Sequence, residues 1–96
     1  MIDQMSTVKL HITGKVQGVW FRASAKEEAL SLGVTGKVWN NPDQSVGVIA
    51  QGDMDDINVF INWCWRGPGL ARVEEVSVED IDSDITYPSF EIARSG

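Results

Sequence analysis

Apolar and polar residues alternate at the start of the chain, with Val8, Leu10 and Ile12 set against Lys9, His11 and Thr13. A period of two predicts a strand with one buried face. The pattern breaks over 14–18 and then lengthens. Phe21, Ala25, Ala29 and Leu32 recur three or four apart among good helix formers, which predicts a helix over 22–32 closed by Gly33. Two further strands are expected over 36–40 and 45–51, joined by Asn41-Pro42-Asp43-Gln44, whose composition is that of a turn. Asp53 then caps a second helix, with Asp55 and Asp56 against its positive end. The apolar stripe of that helix is Ile57, Phe60, Ile61 and Cys64, and Gly67-Pro68-Gly69 stops it. A fourth strand is expected over 71–79. Val73 and Val76 stand three apart in it, which places them on opposite faces of a regular strand. Two residues opposing one at Glu74-Glu75 restore the register, so a β-bulge is expected there. Phe90 and Ile92 end the chain as a short strand.

The resulting order, βαββαβ with an extra terminal strand, predicts an α+β fold: a ferredoxin-like α/β sandwich with two helices covering one face of a mainly antiparallel sheet. Ninety-six residues suit one domain over 1–96, with 1–6 expected to be flexible. At 43% hydrophobic, the chain has enough apolar side chains for a core. Fourteen acidic against eight basic residues give a net charge of −6, which repels extended phosphate backbones and argues against nucleic acid as a partner. A single cysteine closes no internal disulfide and suits a reducing, cytoplasmic setting. Met1–Ser6 lacks the basic and apolar parts of a signal peptide, and no apolar run approaches the roughly 20 residues that span a bilayer, so no membrane association is expected. Because this fold plan serves many functions, function has to come from a site.

The stretch richest in chemistry is Gly14-Lys15-Val16-Gln17-Gly18-Val19-Trp20-Phe21-Arg22, between a strand and a helix N-terminus. Unpaired N–H groups and the helix dipole favour an anion at such a place. Two glycines four apart let the chain curl so that successive N–H groups form a nest. Arg22 in the first helical turn is at the end where the dipole prefers acids, and its side chain leans back over the loop. On chemistry alone, a glycine turn followed by a surface arginine explains the stretch at least as well. Neither the spacing of a Walker loop nor that of a dinucleotide fingerprint is present.

This stretch nevertheless resembles the first signature of the acylphosphatase family. Gly36-Lys37-Val38-Trp39-Asn40-Asn41-Pro42-Asp43-Gln44-Ser45-Val46, with Gly52 downstream, resembles the second. Gly67-Pro68, Ala71, Val73 and Val76 add a third echo, so the likeness runs from about Val8 to Ile92 in family order. Two positions depart from it: Lys37 stands where the family often has an aromatic, and Gln44 where it usually has glycine. Positive φ is therefore expected at Gln44.

The resemblance implies hydrolysis of the carboxyl–phosphate bond of small acyl phosphates, with inorganic phosphate as the other small-molecule partner. It implies that Arg22 and the backbone N–H groups of Val16, Gln17, Gly18 and Val19 bind the phosphoryl group, while Asn40 positions the attacking water. No cofactor and no metal are implied, and the protein is expected to act as a monomer. The other candidates have simpler readings: His11 as a solvated strand residue, Cys64 as core, Asp53, Asp55 and Asp56 as helix-capping acids, and Glu27-Glu28 as a solvated helix face. The tryptophans Trp20, Trp39, Trp63 and Trp65 read as edge packing rather than base-stacking platforms. A ferredoxin-like anion-binding or regulatory module without turnover is the alternative.

Overall fold

The computed structural model describes residues 5–96. Its elements run β1 (Met5–Lys15), α1 (Phe21–Leu32), β2 (Thr35–Asn40), β3 (Val46–Asp53), α2 (Met54–Arg66), β4 (Arg72–Asp80) and β5 (Phe90–Ile92). The five strands form one sheet in the order β4-β1-β3-β2-β5, in which β5 alone runs parallel to its neighbour β2. This is the ferredoxin-like sandwich expected from the periodicities.

The core lies between the sheet and its two helices. Val8, Leu10 and Ile12 of β1 pair with Ala50, Val48 and Val46 of β3, and all six side chains are buried. Phe21, Ala25 and Ala29 of α1 and Ile57, Phe60 and Cys64 of α2 close over them. Trp63 lies against both Phe21 and Phe60, with ring centroids 5.4 and 6.2 Å away, and joins the two helices. The α2 cap forms as its sequence suggests, the Asp53 side chain accepting from the Asp55 N–H. Among the described residues no helix is long and apolar enough to cross a membrane.

The bulge falls where the period slipped. Thr13 pairs with Glu75 and Gly14 with Val73, so Glu74 is the extra residue and Val73 and Val76 return to one face. Most boundaries move by one or two residues, and the first strand is longer than expected at both ends. The first strand begins at Met5, so Met5 and Ser6, expected in a flexible leader, pair with Asp53 and Gly52 of β3. Backbone pairing alone carries the strand that far, for Met5 stays 57% exposed. Residues 1–4 of that expected leader lie outside the described residues. The same strand also continues to Lys15, through Gly14.

Candidate active site

The first half of the site is the loop between β1 and α1. Gly18 has φ 73° and Trp20 has φ 66°, which turn the chain from the strand into the helix. Ser24 N–H donates to Trp20 O at 3.0 Å as the first bond of the helix, and the N–H groups ahead of it are those a helix leaves without an internal acceptor. Those N–H groups and the positive end of α1 make the loop attractive to an anion. Gly14 has a different reason for being glycine. A Cβ there would lie 2.1 Å from Arg72 O, so its φ of 120° and missing side chain serve the close approach of β1 and β4 at the bulge. The curl of the loop rests on Gly18, around which a side chain would meet open space.

Arg22 is half-buried in the first turn of α1. Among the described residues it pairs with no carboxylate, whereas Lys26 one turn later lies 3.7 Å from Glu91. Arg22 lines a cavity of about 380 Å³ together with Val16, Gly18, Trp20 and, from β5, Ile92. Ile92 lies beside Val38 in the sheet, two residues before Asn40.

The second half is the end of β2. Val38 is buried beneath the helices, and in the pleat Asn40 falls on the same side as Val38. Its Oδ1 is buried and, among the described residues, has no hydrogen-bond partner. An acceptor in that condition costs about 1–3 kcal/mol, so it marks a place held for something other than the fold. Trp39 faces the other way, onto the helix-free side, where it is only 3% exposed. Gly47 directly opposite makes room for the indole, for a Cβ at Gly47 would lie 2.4 Å from the ring. The Trp39 Nε1–H donates to Asn41 Oδ1 at 2.8 Å. Lys37, one of the two departures, stands 5.5 Å from the centre of that ring and donates to Gly96 O at 3.2 Å.

One side chain joins the halves. Gln17 Nε2 donates to Asn41 O at 2.9 Å and to Ser45 O at 2.8 Å. The anion loop is thereby pinned to the β2–β3 hairpin one residue from Asn40. The hairpin is braced in turn: Asn41 N–H donates to Ser45 O at 2.9 Å, and Asp43 Oδ1 accepts from the Ser45 N–H at 3.0 Å. The Ser45 hydroxyl, which also donates to Asp43 Oδ1, and then the Ser45 N–H lower the pKa of the Asp43 carboxyl, with a smaller contribution from His11. Gln44 has φ 77°, the conformation expected of a position where glycine is usual. The bridging role of the Gln17 side chain was not visible in the sequence, where the residue counted only for its backbone N–H.

The remaining candidates lie elsewhere. His11 is exposed on the helix-free face with Nε2 3.4 Å from Asp43 Oδ2. Cys64 is fully buried, and that burial pushes its thiol pKa far up. Among the described residues, no three His, Cys, Asp or Glu side chains gather as metal ligands.

The fold is a ferredoxin-like sandwich, and its β1–α1 loop and Arg22 together make a place suited to an anion. The acylphosphatase family model matches residues 8–92. An acylphosphatase of Methylococcus capsulatus is 41% identical over 90 residues, which cover 94% of this chain and 98% of that one. One from Shewanella amazonensis is 44% identical over 91 residues, covering 95% and 100%. The solved structure of an acylphosphatase from Coxiella burnetii superimposes with a TM-score of 0.88 at 35% identity, covering 93% of each chain. The chain belongs to the acylphosphatase family, and it hydrolyses acyl phosphates to a carboxylate and inorganic phosphate.

Proposed function

We propose that Arg22 and the backbone N–H groups of Val16, Gln17, Gly18 and Val19 bind the phosphoryl group, and that Asn40 orients the water that attacks it. The orphaned, buried Asn40 Oδ1 beside the pinned loop carries this reading. An amide oxygen accepts a hydrogen bond from the water and so aims a water lone pair at phosphorus, while the amide N–H₂ is free to donate. Arg22 offers a planar fork for two phosphoryl oxygens.

The chemistry asks for little more. Water adds to phosphorus as the phosphorus–oxygen bond to the acyl group breaks, and the electron pair leaves on the carboxylate. The protons of the water stay with the phosphate, so an acyl phosphate dianion and water become a carboxylate and dihydrogen phosphate. A carboxylate whose acid has a pKa of about 4 departs without a proton donor. The transition state is loose, and its demands are charge stabilisation and an aligned nucleophile. No side chain here needs to act as nucleophile or base.

On this reading the protein acts as a monomer, since both halves of the site come from one chain. It works in the cytoplasm, in keeping with a single cysteine that is buried and free. Removing one donor to a transition state costs on the order of 10²–10³ in rate. Arg22→Ala and Asn40→Ala should each lose at least that much benzoyl phosphate turnover while keeping a native circular-dichroism spectrum. Arg22→Lys should not restore it, because a point charge lacks the fork. Near-wild-type turnover by either alanine variant rejects the assignment.

A further inference from the structure

Trp20 breaks two local rules at once. Its backbone is left-handed, with φ 66° and ψ 19°, which is uncommon for any side chain and an outlier for a bulky one. It occupies the N-cap of α1, yet no side-chain cap hydrogen bond is made there, where Ser, Thr, Asp or Asn would satisfy a free N–H. Nor does packing offset the strain, because the indole is 76% exposed. An apolar ring held in a costly backbone, uncovered, beside a functional loop, is a signature of binding rather than of folding.

The surroundings indicate what it meets. The cavity beside Arg22 is bordered by Trp20 and Gly18 of the loop and by Ile92 of β5, with the buried Phe21 and Val16 also lining it. Apart from Arg22, the side chains that line it are mainly apolar. A ligand with a phosphoryl group at Arg22 therefore extends its other end between an indole and an aliphatic wall. Its volume of about 380 Å³ is at the small end for ligand pockets, enough for one ring and too open for a long chain to be enclosed.

We propose that Trp20 and Ile92 form an acyl subsite that favours substrates with a flat, aromatic acyl group over small aliphatic ones. The proposal rests on the phosphoryl reading above, which fixes where the acyl group begins. An aromatic acyl group stacks on the indole face and removes apolar surface of both from water. Acetyl phosphate carries a single methyl group and gains little from the same wall.

The test is the ratio of kcat/KM for benzoyl phosphate to that for acetyl phosphate, measured for the wild type, Trp20→Phe, Trp20→Ala, Trp20→Gly and Ile92→Thr. A stacking contribution of the usual size corresponds to about a tenfold change in this ratio. The ratio should fall by about that much in Trp20→Ala and Trp20→Gly, and stay within about twofold of wild type in Trp20→Phe. Ile92→Thr should lower it by a smaller factor. Trp20→Gly separates recognition from backbone strain, because glycine relieves the left-handed φ while removing the ring. The inhibition constant of inorganic phosphate, which has no acyl group, should move by less than about threefold in all of them. A ratio unchanged in both Trp20→Ala and Trp20→Gly overturns the proposal, as does an equal loss on both substrates. Turnover of both substrates that survives Arg22→Ala would instead sink the phosphoryl reading, and the two failures cannot be confused.

Discussion

Gln17 is the clearest mechanical joint in the molecule, and its removal has a calculable cost. Its amide makes two partly buried hydrogen bonds, at 2.9 and 2.8 Å, to carbonyls 24 and 28 residues away. Each such bond is worth about 0.5–1.5 kcal/mol net. Neither carbonyl would be orphaned by Gln17→Ala, because Asn41 O still accepts from the Gln44 N–H at 3.2 Å and Ser45 O from the Asn41 N–H at 2.9 Å. The larger penalty for an unpaired buried group therefore does not apply, and the loss should be about 2 kcal/mol. In a domain of this size that lowers Tm by roughly 10 °C. Gln17→Glu has nearly the same shape but directs a carboxylate at two carbonyl oxygens, so at pH 7 it should be less stable than Gln17→Ala, and it should recover as its carboxyl is protonated. Activity should fall further than stability. Asn40 adjoins the clamped carbonyl of Asn41, and a displacement of about 1 Å between catalytic groups costs on the order of 10² in rate. The assay is a thermal melt at pH 7 and 5, with benzoyl phosphate kcat measured well below the melting range. A Gln17→Glu protein as stable as wild type at pH 7, or Gln17→Ala with wild-type kcat, would refute the reasoning.

Two further outcomes concern the hairpin. Gln44→Gly should stabilise the protein, because relief of the left-handed backbone returns roughly 1–2 kcal/mol and the looser unfolded chain takes back roughly 0.4–1. A net gain of about 0.5–1 kcal/mol should raise the urea midpoint, Gln44→Ala should not, and an unchanged or lower midpoint for Gln44→Gly counts against the strain argument. Asp43 has its folded-state pKa lowered, chiefly by the Ser45 hydroxyl, then by the Ser45 N–H. A lowered folded pKa means that the stabilisation is present above the unfolded value of 3.8 and is lost as the pH falls through the folded one. Asp43→Asn should thus be less stable than wild type at pH 7, and the gap should close as the pH drops from about 5 toward 2. A gap of constant size across that range would remove the carboxylate from the account.

The site was legible in the sequence to different depths. The loop, Arg22 and Asn40 stood out because a glycine turn, a misplaced cation and the family signatures coincide over a few neighbouring residues. The Gln44 backbone was expected for the same reason, and its φ of 77° agrees. Gln17 was seen only as part of the loop, since nothing near it in the chain announces a bond to residues 41 and 45. Gly14 was assigned to the nest, while its real constraint is the backbone of Arg72. The strain at Trp20 left no mark either, because a tryptophan before a helix is unremarkable until its dihedrals are known.

The sequence by itself determined the elements, their order and the bulge, because hydrophobic period and turn chemistry are set by residues within one or two turns of each other. A slip from two to three between Val73 and Val76 is enough to specify an extra residue at Glu74. The tertiary structure alone decided which distant groups meet. The parallel edge of β5 against β2, the bond from Gln17 to the hairpin, and the cavity between Trp20 and Ile92 each join segments tens of residues apart. Such contacts form only after loop closure has been paid in entropy and the core has fixed the layers, so no local pattern carries them. The candidate groups are therefore readable as letters, and the geometry that brings them together belongs to the fold.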